Sequence, residues 1–468
     1  MGPPEQALPV RMRRVAVIAV GERLREVLVI LAASGVVELS GPLGGGDGPA
    51  LDALRRLERG SSDAGRTVPT LAPVAPDVSA LEREASRDVL AGEVELERRR
   101  AGAIAHGRFR AFVGWVPAPA LESLRRRLEP IGASLVELRT PPGFDPPTLL
   151  APAPAVEPFR PLVSTYGAIA YDDVDPTPFA ALTFCLMFGM MFGDIGDGAL
   201  IVLAALWLRH VRRSRLQRVA RMWPLIAAAG VMSIAFGALY GEVFGPTHLV
   251  PVLWLAPMAD PTRLLTVAVL LGACLLVAGH LIGIVNRLRE GGRALAFTTP
   301  SGVPGLTLLL GAALAAVGVV LHTALLALAG PALAAAGLSA IAVGLRAEAG
   351  SGAGSVAVVA IGLLDAVLRL FSNVFSFARL AAFGLMHAAI GQVVLHAASS
   401  LSGSGWGDLA AAVVFAIGWA VAFALEGLVV SVQALRLEYY ELFSRVLLRE
   451  GRQFRPWSLP LLIGEESR

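Results

Sequence analysis

The stretch Leu370-Phe371-Ser372-Asn373-Val374-Phe375-Ser376-Phe377-Ala378-Arg379-Leu380-Ala381-Ala382-Phe383 puts an arginine inside one of the longest apolar runs of the chain. A guanidinium near a bilayer centre costs between ~2.5 and ~17 kcal/mol depending on how it is gauged, and it cannot shed its proton to escape. Such a residue is kept for a use. The alternative is an arginine near a helix end that snorkels to the interface; against it stands the apolar sequence that continues well beyond Arg379 on both sides.

Composition agrees with a membrane setting. Hydrophobic residues make up 55% of the chain and charged residues 16%, whereas ordinary soluble domains carry about 25% charged residues. Charge is concentrated in residues 1–176, and the rest is apolar runs punctuated by short arginine-rich loops, which sets a boundary near Pro176. Lysine is absent, so a Walker-A lysine, and with it P-loop ATP binding by this chain, is excluded. A net charge of +3 with no basic patch interleaved with aromatics gives no reason to expect nucleic acid. Cys185 and Cys274 lie far apart in apolar segments, fit no metal or disulfide spacing, and read as buried small hydrophobes. No cofactor or metal site is expected. The N-terminus lacks an apolar segment ahead of a cleavage site, so no signal peptide is expected and the N-terminal domain is placed on the cytoplasmic side.

Residues 12–19 read as a strand, followed by a helix at 22–34 and a strand at 36–39. A second such unit spans 109–117, 118–129 and 134–138. Two β-α-β units imply one small α/β domain. Between them, the charge-rich stretches 51–59 and 78–105 read as helices that either pair as a short arm or lie on the surface of the same domain. Eight prolines between 141 and 161 make an extended connector. The domain plan is a cytoplasmic α/β domain with helical arm over 1–160, a connector over 161–177, a transmembrane domain over 178–446 and a cytoplasmic tail over 447–468.

Seven apolar runs approach or exceed the ~20 residues needed to cross a bilayer: 179–208, 222–244, 264–285, 303–328, 332–345, 356–396 and 409–437. The loop 209–221 carries Arg209, Arg212, Arg213, Arg215, Arg218 and Arg221 with no acid, which predicts a cytoplasmic location. The loop 286–293 and the arginine-rich C-terminal tail point the same way. All three agree only if the first run crosses an even number of times. Its middle, Phe188-Gly189-Met190-Met191-Phe192-Gly193-Asp194-Ile195-Gly196-Asp197-Gly198, supplies the glycines and carboxylates at which a helix breaks. Two short helices there give eight in total; a single glycine-kinked helix is the alternative. The run 356–396, at 1.5 Å per residue, makes a helix of about 60 Å, so the last two helices are expected to be long and tilted. The fold class is therefore an α-helical polytopic membrane domain with a small N-terminal α/β domain.

The last run carries Glu426 and Arg436. His387 falls about 12 Å beyond Arg379 along a helix, Asp365 about 21 Å before it, and Glu426 about 15 Å from Arg436. This order fits two aqueous half-channels, an outer one near Glu426 and His387 and an inner one near Asp365 and Glu438, with arginine as the barrier between them. Structural alternatives stand beside it: His387 as a packing histidine, and Glu426 paired with Arg436. Glu242 and His280 are weaker candidates, as are Asp194, Ser372, Asn373 and Ser376. Two other classes compete: a stand-alone secondary transporter binding an anionic substrate, which predicts internal repeats that the two halves do not display, and a non-transporting scaffold with paired charges.

Several blocks in order, Tyr166-Gly167 through Asp175-Pro176-Thr177, 188–198, Tyr240-Gly241-Glu242, Ser372-Asn373 through Ser376-Phe377-Ala378-Arg379-Leu380, His387, and Glu426-Gly427 through Leu435-Arg436-Leu437, resemble the membrane subunit of rotary V-type and archaeal-type ATPases, called subunit a or subunit I. The resemblance implies a stator and ion half-channel subunit that hydrolyses no ATP itself. It implies that Arg379 and Arg436 face a ring of proteolipid subunits, that Glu426 and His387 line a channel, and that Asp365 stands where an inner-channel acid is common. The implied partners are the proteolipid c/K ring, peripheral stalk subunits, the central stalk and catalytic subunits, and membrane lipid. The implied location is a prokaryotic plasma membrane with both termini cytoplasmic. Departures are Asp197, where His or Tyr is common, Ile169 in place of a proline, and an N-terminal domain with little room for a long coiled coil.

Overall fold

The computed structural model describes residues 8–41, 44, 48–59, 67–141, 143–211, 217–247, 249–290, 292–350, 354–403 and 405–462. Arg212, Arg213 and Arg215, used above for orientation, lie outside them. The chain divides into two compact units, one holding Pro152–Glu450 and the other Pro9–Ala151 together with Gly451–Arg468.

The smaller unit runs β1 (Met12–Val20), α1 (Leu24–Ser34), β2 (Glu38–Ser40), α2 (Pro49–Arg59), α3 (Val78–Arg83), α4 (Arg87–Ala101), β3 (Ile104–His106), β4 (Phe109–Pro117), α5 (Leu121–Leu128) and β5 (Ser134–Glu137). Strand order is β2-β4-β1-β5, with β3 on β4, and every pairing is antiparallel. Each expected β-α-β unit is thus split by a strand of the other, and the two interleave into one sheet. Val15, Val17, Phe112 and Val116 of the sheet bury against Leu24, Leu28 and Leu31 of α1 and Leu124 and Leu128 of α5. α1 stops where it does because Gly35 adopts φ 57° and its N–H closes on the Leu31 carbonyl, a conformation that costs glycine little. The stretch expected as one helix over 78–105 is two helices and a strand, broken at Ala85, whose φ is 53°. Ala50 and Leu51 of α2 pack on Val94 of α4, and α4 joins the main core through Leu96. From Gly451 on, the C-terminal segment belongs to this unit: Trp457 N–H donates to Val37 O at 2.9 Å, Leu71 N–H donates to Pro460 O at 2.8 Å, and the buried Glu38 carboxylate accepts from Arg452 and from Arg455 N–H.

The larger unit is helical: α6 (Arg160–Ser164), α7 (Thr177–Met191), α8 (Ile195–His210), α9 (Gln217–Ala220), α10 (Trp223–Tyr240), α11 (Pro261–Glu290), α12 (Gly292–Thr298), α13 (Val303–Val320), α14 (Ala324–Ala349), α15 (Ser355–Ser376), α16 (Ala378–Leu401) and α17 (Trp406–Leu437), then a π-helical stretch Glu438–Phe443 and α18 (Ser444–Val446). Among the described residues, six helical segments are long and apolar enough to cross a membrane: Trp223–Tyr240, Pro261–Glu290, Gly292–Val320, Ala324–Ala349, Ser355–Leu401 and Trp406–Val446. The first apolar run of the sequence is two helices of 15 and 16 residues, α7 and α8, each about 22–24 Å long and so shorter than a full hydrocarbon crossing.

Two expectations are corrected. The fourth run ends at Val320 rather than 328, and the chain turns at 321–323, with His322 at φ 50°, before α14 starts at Ala324; leucine and alanine continue through the turn, so hydropathy does not mark it. α13 and α14 then approach closely through glycines: a Cβ on Gly318 would lie 2.4 Å from Ala327 N, and one on Gly311 2.4 Å from Ala334 N, the small-residue contact typical of membrane helix pairs. Cys274, read as buried, is exposed, while Cys185 is buried. The buried stripe of α11 is Leu264, Ala268, Gly272 and Leu276, and at 100° per residue Cys274 points away from it.

Just before α7, Asp173 is fully buried beside Glu290 at the end of α11, where Arg287 pairs with Glu290 at 2.5 Å. Burial first, and then the neighbouring Glu290 carboxyl, push Asp173 up to about 7. The folded chain therefore holds a proton that the unfolded chain sheds above its ordinary value of 3.8; this contribution to stability is full at low pH and is lost as pH rises towards about 7. The unfolding midpoint of the purified chain should fall between about pH 4 and pH 7, and Asp173→Asn should flatten the slope. An unchanged slope in the variant would rule Asp173 out as its source.

Candidate functional site

Asp194 sits at the break between α7 and α8 and is fully buried. It caps α8: Oδ1 accepts from Asp197 N–H at 3.0 Å. The same carboxylate accepts from Phe244 N–H at 2.9 Å and, through Oδ2, from Gly245 N–H at 2.7 Å. The loop after α10 can supply both donors because Phe244 and Gly245 adopt φ of 50° and 87°, and Gly245 lies against Gly391 of α16, where a Cβ would meet Gly391 Cα at 3.2 Å. Glu242, from this loop, is drawn to the same place and is buried.

His387 of α16 and Glu426 of α17, both buried, meet there as well. Nδ1 of His387 lies 2.6 Å from Glu426 Oε2, and a carboxylate can only accept, so the neutral ring carries its proton on Nδ1. Nε2 then presents a lone pair 3.9 Å from Asp194 Oδ2 and 4.0 Å from Asp197 Oδ2. Asp197 is held by Trp419 Nε1–H, which donates to Oδ1 at 2.7 Å. Rings wall the cluster: Phe192 stands 4.8 Å and Trp419 6.3 Å from the imidazole, centroid to centroid. Asp194, Glu242 and His387 each offer a ligand atom, and these atoms all lie within 4.8 Å of one another.

A second polar group lies about 12–15 Å away along α16 and α17. Arg379, in the first turn of α16, is partly buried, and its Nη1 has no hydrogen-bond partner among the described residues. It is within electrostatic reach of Arg436, which is exposed, and of Glu441, which is buried. Ser376 also faces Glu441, while its hydroxyl donates to Ser372 O at 2.8 Å.

The other candidates lie elsewhere. Asp365 is bound to Arg369 one turn along α15 at 2.7 Å, on an exposed face. Glu438 is fully buried and accepts from Thr183 Oγ1 at 2.7 Å. Asn373, with its amide oriented to satisfy both groups, donates to Arg369 O and accepts from Arg445 at 2.7 Å; Ser372 is exposed. His280 donates from Nδ1 to Leu276 O at 2.8 Å and accepts at Nε2 from Arg445 at 2.7 Å, a neutral bridge between α11 and α18.

Sequence reasoning gave no role to Glu441 or Trp419 and read Asp197 only as part of the helix break and as a departure from the resembled family. Glu441 lies in the π-helical stretch, whose i→i+5 bonding turns a face by one residue, and no hydropathy pattern marks that. Replacing Asp194 by Asn puts an amide N–H₂ against at least one of the backbone donors, and a buried donor without an acceptor costs about 1–3 kcal/mol. Asp194→Asn should lower the unfolding midpoint of the detergent-solubilised chain accordingly; equal midpoints would mean that the three-donor cradle adds nothing to stability.

The V-type ATPase 116 kDa subunit family matches residues 106–260. The chain is 31% identical over 352 residues to the A-type ATP synthase subunit I of Aeropyrum pernix, covering 64% of this chain and 50% of that one. It is 41% identical over 135 residues to the A-type ATP synthase subunit I of Archaeoglobus fulgidus, 29% of this chain and 19% of that one. Over 144 residues, 28% of this chain and 17% of the other, it is 33% identical to the V-type proton ATPase 116 kDa subunit a 2 of Mus musculus. The chain thus spans about half, or less, of the length of these relatives. Over these parts of its length the chain is similar to members of the V-type ATPase 116 kDa subunit family.

Proposed function

We propose that this chain is the stator and ion half-channel subunit of a rotary V/A-type ATPase, coupling passage of H⁺ or Na⁺ to rotation of a proteolipid ring. The observation that carries the reading is the separation, along α16 and α17, of the arginine pair Arg379 and Arg436 from the buried cluster of Glu426, His387, Asp194, Asp197 and Glu242. An ion taken up at the carboxylate cluster passes to an acid of the ring, and the fixed positive charge blocks a direct leak while attracting that mobile carboxylate. The apolar faces of α15 and α17 flanking the arginines support a ring-facing surface: Phe371, Phe375, Leu425, Leu428 and Val432 are all exposed. Glu441, rather than Asp365 or Glu438, is the acid within electrostatic reach of both arginines, and we assign it to the second half-channel.

In this reading α7 and α8 together complete a set of eight membrane helices. In the same reading the arginine-rich loops favour a cytoplasmic side for both termini, the cell is prokaryotic, and the paired helices α2 and α4 form the arm that meets the peripheral stalk. Central stalk and catalytic subunits on other chains hydrolyse or make ATP.

Vesicles reconstituted with the purified complex should acidify on ATP addition. Arg379→Ala should abolish acidification while assembly is retained, and Glu426→Gln should lower the flux severely. Persistent pumping in Arg379→Ala, or purification without any ATPase subunit, would sink the rotary reading and favour a stand-alone transporter.

A further inference from the structure

We propose that Asp194, Glu242 and His387 form a binding site for a divalent transition-metal ion, zinc being the best chemical match, and that Glu426 positions His387 for it. The effect on transport, closure of the half-channel by the bound ion, rests on the reading above; the site itself does not.

The chemistry of the donor set carries the assignment. In the neutral ring the His387 Nδ1–H to Glu426 carboxylate bond selects the tautomer that turns Nε2, as a lone pair, towards Asp194 and Asp197. A carboxylate behind the imidazole is the usual second partner of a metal-bound histidine: it aims the ring and raises its basicity. Four residues of the cluster each hold a buried atom with no hydrogen-bond partner: Asp197 Oδ2, Glu242 Oε2, His387 Nε2 and Glu426 Oε1. Both His387 and Glu242 are more than nine-tenths buried. Orphaned acceptors packed this closely repel one another and are costly when buried; a dication satisfies them together.

The geometry requires little movement. The three ligand atoms lie within 4.8 Å of one another, and a tetrahedral zinc with bonds of about 2.0–2.2 Å brings them to about 3.4 Å. Asp197 Oδ2, 4.0 Å from His387 Nε2, stands ready for the fourth position. One imidazole among so few oxygens suits zinc, whereas calcium takes about six to eight oxygens and magnesium keeps several waters. Asp194 is already fixed by its three backbone donors, so the set is largely preorganised.

The test uses the full chain in the complex with which it purifies, in detergent, stripped of metal by chelation and titrated with zinc. We expect one zinc per chain, with an X-ray absorption spectrum of one imidazole nitrogen and oxygens at about 2.0–2.2 Å. Glu426→Gln should weaken binding about 10- to 100-fold, and Glu242→Gln, which removes a ligand, by more. Absence of stoichiometric binding to the wild type, a spectrum without imidazole, or unchanged affinity in both variants would overturn the site; the wild-type spectrum decides this even where a variant does not fold. In reconstituted vesicles, zinc-free acidification tests the half-channel reading separately. Block of that acidification at the concentration that fills the site supports closure by the metal, and full pumping with the site filled overturns it.

Discussion

The carboxylate of Asp194, bound by three backbone N–H groups in an apolar bundle, is the contact on which the rest of the candidate site depends. A buried carboxylate without donors is untenable in such a medium, so the chain must bring donors to it. One comes from the first turn of α8, which requires that the helix begin there and therefore that the first apolar run break. Two come from Phe244 and Gly245, which forces the loop after α10 into left-handed backbone and carries Glu242 inward. The break, the loop and the close approach of Gly245 to Gly391 are consequences of satisfying one side chain.

Around that point the membrane unit sorts its charges by sign. Asp194, Asp197, Glu242 and Glu426 gather about a single histidine, and among the described residues no ion pair joins an arginine to them. Arg379 and Arg436 lie elsewhere on the same two helices with one acid, Glu441. Two like charges held near each other in a partly buried setting are unfavourable unless something answers them, and Glu441 answers only part of the arginine pair. The arginines at one place and the carboxylates gathered about a histidine at the other keep the two kinds of group apart along α16 and α17, as a paired, purely structural arrangement would not.

Much of this was legible in the sequence because charge inside an apolar run is rare enough to be informative. Arg379, His387 and Glu426 stood out for that reason, and the glycines and carboxylates of 188–198 marked the helix break where α7 and α8 part. The α/β unit was legible from alternation in β1 and β4, but its interleaved strand order was not, since pairing is decided by partners far apart in sequence. The same holds for the site: Asp194, Glu242, His387 and Glu426 come from four separate segments, and spacing along the chain says nothing of their meeting. Helical distance from Arg379 and Arg436 points to Asp365 and Glu438. Asp365 faces outward to Arg369, and Glu438 is tied to Thr183. Glu441 took the place near the arginines because of a π-helical stretch that no periodicity announces.

The remaining buried polar groups of the unit show what an inert arrangement looks like. Thr183 answers Glu438, Arg445 answers His280, and Asn286 both accepts from Val174 N–H and donates to Val446 O. Each of these joins two elements of the bundle, as buried polar side chains in membranes ordinarily do. The Asp194 cluster differs in density: four members packed together each keep an unanswered buried atom, where Glu438 and Arg445 keep one apiece in separate places, and the aromatic rings of Phe192 and Trp419 stand against the imidazole. A cluster selected only to hold helices together would be expected to close its hydrogen bonds, because each open one weakens the packing it serves. Open acceptors held by a rigid cradle are the arrangement expected of a place that receives a cation.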